Sequence, residues 1–112
     1  MITDSPAIKL SGDTLRTLPS SVSIPRYDRT QLLEHTVHIG VGGFHRAHQS
    51  VYLDDLLELP DTERWGECGI GVLRSDDRMR DALRGQDHLF TVVERSASAQ
   101  TARIIGSMVD YI

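Results

Sequence analysis

The fold is decided by residues 37–46, which read VHIGVGGFHR. β-Branched residues recur at every second position up to Val41, as in a strand, and a glycine-rich turn follows. In nucleotide-binding βαβ units, the first glycine makes the turn tight and the second lacks the Cβ that would keep the backbone away from a phosphate. The N–H groups at the start of the next helix can then hold the anion. The stretch therefore predicts a strand, a glycine loop and a helix that together seat a dinucleotide pyrophosphate.

The glycine pattern departs from the common G-x-G-x-x-G fingerprint at its third position. Counted from Gly40, the third glycine would fall at position 45, which is His45 here. That glycine normally permits close packing of the helix on the strand, and Ala47 is the nearest small residue that can do the same. Taken alone, the pattern also fits an ordinary glycine turn between a strand and a helix.

The wider segment resembles the N-terminal signature of the mannitol dehydrogenase family of long-chain polyol dehydrogenases. The resemblance begins in residues 37–49 (VHIGVGGFHRAHQ) and continues, in the same order, through three later blocks. These blocks are residues 65–74 (WGECGIGVLR), 85–91 (GQDHLFT) and 104–107 (IIGS). The resemblance as a whole covers roughly residues 24–112, which is most of the chain.

This resemblance implies the N-terminal NAD-binding portion of an oxidoreductase that interconverts a polyol or sugar acid and its keto form by hydride transfer. The family carries its catalytic lysine, in a K-x-x-x-x-N-x-x-H arrangement, in a second and mostly helical domain. The only lysine in this chain, Lys9, lacks that spacing. We therefore predict no catalytic residue here, and we expect this 112-residue chain alone to be inactive with mannitol or fructose.

Hydrophobic periodicity predicts an α/β fold in which a Rossmann-like βαβ unit is followed by a β-hairpin and ends before the domain is complete. The apolar face of the first helix is expected to comprise Phe44, Ala47, Val51, Leu56 and Leu59. Ser75 is expected to be the N-cap of the second helix. The predicted elements are a strand over residues 36–41, a helix over 44–59, a strand over 68–73, a helix over 76–84, and two antiparallel strands over 89–95 and 101–111.

Two segments are expected along the chain. Residues 1–34 hold every proline except Pro60 and show no sustained periodicity, so we predict an irregular N-terminal extension there. Residues 35–112 are predicted to form the first part of a Rossmann-like dinucleotide-binding domain. Because the sequence stops inside the apolar stretch 104–112, we interpret it as a fragment of a longer protein.

Two carboxylates, Asp76 and Asp77, follow the second predicted strand. An acidic residue at this place in a βαβ unit holds the adenosine ribose hydroxyls. The family has an acidic pair here, and the resemblance implies NAD rather than NADP because a carboxylate repels a 2′-phosphate. Arg74 and Arg78 leave NADP open, since a guanidinium can bind a phosphate. Both aspartates also fit a simpler role as favourable charges at a helix N-terminus.

A third charged group near the glycine loop is Arg46, in the first turn of the predicted helix, where its charge opposes the helix dipole unless an anion is bound. We predict that Arg46 contacts the pyrophosphate, with a surface pair to an acid as the alternative. His45 and His48 lie on the same helical side, but no third ligand is indicated, so no metal is predicted. The predicted cofactor-binding residues are Gly40, Val41, Gly42, Gly43, Phe44, His45, Arg46, Asp76 and Asp77.

Composition limits the remaining classes of function. The chain is 39% hydrophobic and 25% charged, with a formal net charge of -4, and its arginines are scattered among acids, so no nucleic-acid partner is predicted. The single cysteine, Cys68, excludes an internal disulfide. With no long apolar run, no membrane association is predicted and a cytoplasmic location is expected. A nonenzymatic nucleotide-binding module and an S-adenosylmethionine-binding domain stay open as alternatives, because both use a similar turn and acid.

Overall fold

The computed structural model describes residues 7–112 and contains two three-stranded sheets. Two short 3-10 turns, Leu15–Thr17 and Arg29–Gln31, lie in the N-terminal part. The helices and strands are β1 (Val22–Ser23), β2 (Leu33–Ile39), α1 (Gly43–Ala47), α2 (Gln49–Leu57), β3 (Trp65–Ile70), α3 (Asp76–Arg84), β4 (Phe90–Arg95), β5 (Gln100–Ile105) and β6 (Met108–Tyr111). None of the described helices is long and apolar enough to cross a lipid bilayer.

The first sheet has the order β2-β3-β6 and is parallel throughout. The chain passes from β2 to β3 through α1 and α2, and from β3 to β6 through α3 and the β4-β5 hairpin. Adjacent parallel strands joined by helical crossovers form one half of a doubly wound nucleotide-binding fold. The predicted α/β class with a Rossmann-like βαβ unit is therefore confirmed.

The second sheet has the order β1-β5-β4 and contains the predicted hairpin. β4 and β5 are antiparallel, with Phe90 opposite Ile105 and Arg95 opposite Gln100. The single strand predicted over residues 101–111 is wrong, because the chain leaves β5 at Ile105 and enters the other sheet as β6. Both pieces are apolar and only Gly106 and Ser107 separate them, so periodicity alone does not reveal the change of sheet.

The N-terminal segment packs against the end of the chain. β1 pairs in parallel with β5, and Arg29 donates from Nε to the Gly106 carbonyl at 2.8 Å and from Nη2 to the Met108 carbonyl at 2.9 Å. β2 begins at Leu33, shortly before the boundary predicted from the sequence. Residues 1–6 of the predicted extension lie outside the described residues. The division into an extension and a domain stays a prediction.

The first predicted helix is two helices, because the backbone at His48 leaves the helical region, with φ -125° and ψ -80°. Its predicted apolar face is wrong at four of five positions, since Phe44, Leu56 and Leu59 are 78%, 44% and 55% exposed and Ala47 is exposed as well. The buried side of α2 is mainly polar and consists of Ser50, Asp54 and Leu57. Burying polar side chains is tolerated only when they are hydrogen-bonded, and their partners come from distant parts of the chain.

The hydrophobic core lies between α3, the hairpin and β6. Leu83 of α3 packs there, and α3 spans the predicted residues and ends at Gly85. Ser75 occupies the N-cap position as predicted, but its side chain makes no capping hydrogen bond. The buried core residues are Val41, Leu83, Phe90, Ile105, Met108 and Tyr111.

Candidate functional site

The glycine loop lies at the carboxyl end of the parallel sheet. β2 ends at Ile39 and α1 begins at Gly43, while the Gly40 N–H donates to the Ile70 carbonyl at the end of β3, at 2.9 Å. The segments that follow β2 and β3 are therefore neighbours. Ligands of open α/β sheets bind outside the carboxyl ends of the strands, so this edge is the candidate site.

Gly40 and Gly42 are glycines for different reasons. Gly40 has φ +85°, a left-handed conformation that other residues adopt only with strain. Gly42 has φ -109° and ψ -173°, an extended conformation open to any residue. A Cβ placed on Gly42 would meet no atom within 4 Å. Neither backbone angle nor internal packing accounts for Gly42, and the absent side chain leaves open space above the loop.

Unpaired backbone donors lie at the start of α1, next to Gly42. The first hydrogen bond of α1 runs from the Arg46 N–H to the Gly42 carbonyl, at 3.1 Å. The N–H groups of Gly43, Phe44 and His45 precede it and therefore have no partner inside the helix. N–H groups at the start of a helix can donate hydrogen bonds to an anion, and a neighbouring glycine has no side chain to block its approach.

The Arg46 side chain folds back over the loop. Its Nε donates to the Gly42 carbonyl at 3.3 Å, and its Nη2 lies 4.0 Å from where a Cβ on Gly43 would be. Among residues 7–112, no carboxylate forms a salt bridge with Arg46, so the predicted alternative of a surface ion pair is not realised in the described part of the chain. The guanidinium thus adds positive charge beside the unpaired N–H groups.

The two predicted aspartates have different surroundings. Asp76 is half-buried, and its Oδ2 accepts from the N–H groups of Val72 and Leu73, both at 2.9 Å. Asp77 is exposed, and its Oδ1 lies 3.2 Å from Nη1 of Arg80. The Asp76 carboxylate is therefore hydrogen-bonded to the backbone that leads into α3. The Asp77 carboxylate stays accessible to a ligand at the end of β3.

The side chains of three other predicted residues make contacts within the protein. Val41 is 5% exposed and belongs to the core, while Phe44 is 78% exposed and stacks on His48 with 4.1 Å between ring centroids. His45 is 6% exposed and contacts Glu67. The side chains of Val41 and His45 are buried, so these two residues can contact a ligand only through the backbone.

Sequence reasoning missed Glu67, a carboxylate on the central strand that is 3% exposed. Its Oε1 contacts Nε2 of His45, and its Oε2 accepts from Oγ of Ser50 at 2.9 Å. Nδ1 of His45 lies 2.9 Å from Oε1 of Gln49, and the His38 ring stacks on His45 with 3.5 Å between centroids. An acidic residue inside the otherwise apolar stretch WGECGI was the available signal.

The histidine pair considered as metal ligands does not share a direction: His45 turns to Glu67, whereas Nδ1 of His48 lies 2.7 Å from the Phe44 carbonyl. A separate cluster lies across β2, β3 and β6, where the ligand atoms of Glu34, Cys68 and Asp110 lie within 4.8 Å of one another. Burial, with Glu34 and Asp110 nearby, raises the pKa of the Cys68 thiol. The thiol is therefore kept protonated and unreactive.

Comparison with known proteins identifies the family. The family model of the mannitol dehydrogenase Rossmann domain matches residues 34–111. Mannitol 2-dehydrogenase of Cereibacter sphaeroides is 51% identical over 92 residues, which is 82% of this chain and 19% of that protein. Mannitol 2-dehydrogenase of Pyricularia oryzae is 47% identical over 92 residues, 82% of this chain and 18% of that protein.

A solved structure gives the same result. Pseudomonas fluorescens mannitol 2-dehydrogenase, in a ternary complex with NAD and D-mannitol, matches with a TM-score of 0.90 and 40% identity, over 94% of this chain and 22% of that one. The present chain spans about a fifth of the length of the relatives that it matches. Sequence and structure agree over most of its residues, and the chain belongs to the mannitol dehydrogenase family.

Proposed function

We propose that this chain is the NAD-binding N-terminal portion of an oxidoreductase that interconverts a polyol or sugar acid and its keto form. One observation carries the proposal: Gly42 has an ordinary extended backbone and no close neighbour, yet lies beside three unpaired helix N–H groups and below Arg46. A dinucleotide pyrophosphate fits these features, because it is anionic and needs close approach to the backbone. Membership of the mannitol dehydrogenase family supports the same assignment.

Each part of the site has a distinct role in this proposal. The N–H groups of Gly43, Phe44 and His45 donate to pyrophosphate oxygens, and Arg46 offsets their negative charge. Asp77 accepts hydrogen bonds from the adenosine ribose, while Asp76 fixes the backbone beside it. When bound, the nicotinamide of NAD supplies hydride transfer.

We assign neither a polyol site nor a group that takes the hydroxyl proton of the polyol to these 112 residues. Relatives that are mannitol 2-dehydrogenases have about five times the length of this chain. We propose that the complete protein acts on a mannitol-like polyol or a sugar acid in the cytoplasm, and that the 112-residue chain binds nucleotide without turning substrate over. Measured oxidation of mannitol by the chain alone would contradict the second statement.

The experiment is a fluorescence titration with NADH and NADPH. Gly42→Val fills the space that both pyrophosphates share, so both affinities should fall at least about tenfold, or ~1.4 kcal/mol. Ala97→Val places the same valine side chain on an exposed loop and should change neither affinity. No saturable NADH binding by the unmodified chain, or binding of S-adenosylmethionine in its place, would overturn the proposal.

Asp77→Ala tests the choice of cofactor. The substitution removes the carboxylate that accepts hydrogen bonds from the NADH ribose and repels the 2′-phosphate of NADPH. The ratio of the NADH affinity to the NADPH affinity should therefore fall by about tenfold. Asp81→Ala, also exposed on α3, is the matched control and should leave the ratio unchanged. A native preference for NADPH would instead point to the exposed Arg74 and Arg78.

A further inference from the structure

We propose that Glu67 is a positioning residue, whose one buried carboxylate holds both halves of the interrupted helix and thereby fixes the glycine loop for the nucleotide. This inference rests on the proposed function. Glu67 does not face the open space above Gly42, so it acts through the elements that it contacts and not on a ligand.

The interruption at His48 creates the need for such a contact. α1 is only five residues long and is separated from α2 by the non-helical backbone of His48. Helices this short are not stable by their own hydrogen bonds. Ala47, which the sequence offered as a replacement for the third glycine, is exposed and does not pack α1 on the sheet. Another contact must therefore hold α1 in place.

Glu67 makes one contact to each half. Oε1 contacts Nε2 of His45 in α1, and Oε2 accepts from Oγ of Ser50 in α2 at 2.9 Å. All three side chains are buried, at 3%, 6% and 0% exposure. A buried carboxylate that lost either donor would be left partly unsatisfied, which opposes any movement of one helix away from the other.

The carboxylate is itself held by a rigid element. Glu67 lies on the central strand of the parallel sheet, and its N–H donates to the Ser107 carbonyl at 2.9 Å. The His45 ring is fixed further by Gln49 at Nδ1 and by the stacked His38 ring, whose plane differs by 7°. His45 also contributes one of the three unpaired N–H groups beside Gly42. The position of these donors is therefore set by the sheet through one side chain.

A preformed loop binds its ligand without the cost of ordering it first. Loss of the Glu67 contact should therefore lower the affinity for nucleotides that bind to the loop and leave unchanged the affinity for those that do not. NADH and ADP-ribose contain the pyrophosphate, whereas adenosine lacks it and depends on the segment after β3, where Asp77 lies. A residue that only stabilises the fold would not separate these two groups of ligand.

The test compares Glu67→Leu, Glu67→Gln and the exposed control Glu63→Gln. Glu67→Leu should lower the affinities for NADH and ADP-ribose at least tenfold and change the affinity for adenosine less than twofold. Glu63→Gln should change none of the three affinities. Equal losses for adenosine and NADH, or no loss at all, would overturn the proposal. If Glu67→Leu does not fold, Glu67→Gln decides. The glutamine offers one acceptor oxygen to two donors, so the affinity for NADH should fall at least threefold. An unchanged affinity would refute the positioning role.

A second measurement needs no nucleotide and separates this inference from the proposed function. Hydrogen exchange of the Arg46 amide, which closes the first turn of α1, should be at least fivefold faster in Glu67→Gln, with the hairpin amides unchanged. If the unmodified chain does not bind NADH, the proposed function fails and this exchange rate alone decides on Glu67. An unchanged rate would show that α1 is held by other contacts.

Discussion

The two outer strands of the parallel sheet, β2 and β6, each contain three apolar residues but have opposite surroundings. In β6, Met108 and Tyr111 are completely buried. In β2, Leu33, Val37 and Ile39 are 60%, 61% and 64% exposed. β6 lies against α3 and the core, whereas nothing described here covers the outer side of β2. Apolar composition thus marks both strands as sheet-forming, but only their neighbours decide which one is buried.

The exposed strand also has an unpaired edge. β2 bonds to β3 on one side only, and its sequence contains no proline or lysine to discourage pairing on the other. Such an edge is a template for another strand. A substitution in β6 is therefore expected to change the stability of the fold, whereas a substitution in β2 is expected to change the association of one chain with another.

The largest expected effect comes from truncating the buried strand. Met108→Ala should lower the free energy of unfolding by about 2–5 kcal/mol, because it removes buried contacts and leaves a cavity. Ile39→Ala, on the exposed strand, should cost less than ~1 kcal/mol. Urea denaturation of both variants provides the measurement. Similar losses at the two positions would mean that β2 is as buried as β6 in solution.

Charge on the exposed strand should reduce self-association. We expect the unmodified chain to associate through β2, and Val37→Lys to raise the concentration at which it does so by about tenfold, ~1.4 kcal/mol, since lysine discourages edge pairing. Leu59→Lys, which is exposed but outside any strand, is the control. Sedimentation velocity separates the species. A chain that is already monomeric at high concentration would remove the basis for this prediction.

A smaller effect is expected from the hydroxyl of Tyr111. This oxygen is buried and has no hydrogen-bond partner among residues 7–112. An unsatisfied buried polar group is destabilising, so Tyr111→Phe should raise the free energy of unfolding by about 1 kcal/mol. A loss of stability in the thermal melt of this variant would indicate that the hydroxyl has a partner after all.

The smallest expected effect is a pH dependence of the stability, caused by His88, which lies between α3 and β4 and near Asp110 of β6. Burial lowers the pKa of His88, aided by Arg29 and Arg84, although Asp110 of β6 raises it in part. The folded state therefore favours neutral His88, and between the lowered pKa and the ordinary value near 6.5 the unfolded chain binds more protons. Stability from this group is present above the ordinary value and is lost as the pH falls through that window. His88→Asn should flatten the dependence between pH 7 and 5, and an unchanged slope would assign it to other histidines.

Strong local signals made much of the fold predictable. The glycine loop placed the carboxyl end of β2 to within two residues, and the ends of α3 and the alternating hairpin strands were visible in the sequence, whereas β3, at Trp65–Ile70, lies three residues earlier than predicted. The inward face of α2 was not, because Asp54 is held by partners far away: it accepts from Tyr27, from Arg103 at 2.6 Å and from the Gly106 N–H at 3.0 Å. A helical pattern read for apolar residues cannot find a buried face made of polar ones.

The assignment of the candidate site stays a prediction, and the structure adds only the surroundings of its residues. The sequence indicated the loop and both aspartates, but it could not show that Asp76 is used by the backbone while Asp77 stays exposed. It also assigned His45 to the cofactor, but it could not show that the His45 side chain pairs with Glu67 on β3 and leaves only the backbone N–H for a ligand. That pairing depends on the register of β2 against β3, which local patterns do not contain.

The contacts of Arg29 have a consequence for the order of folding. This side chain, made early in synthesis, bonds to carbonyls at Gly106 and Met108, which are 77 and 79 residues later in the chain. Contacts so distant form slowly, because a long loop must close first. We expect the N-terminal segment to be the last to acquire protection, so that pulse-labelled exchange would find the amides that pair β1 with β5 still exchanging after the β4-β5 hairpin is already formed. Early protection of these amides would reverse that order.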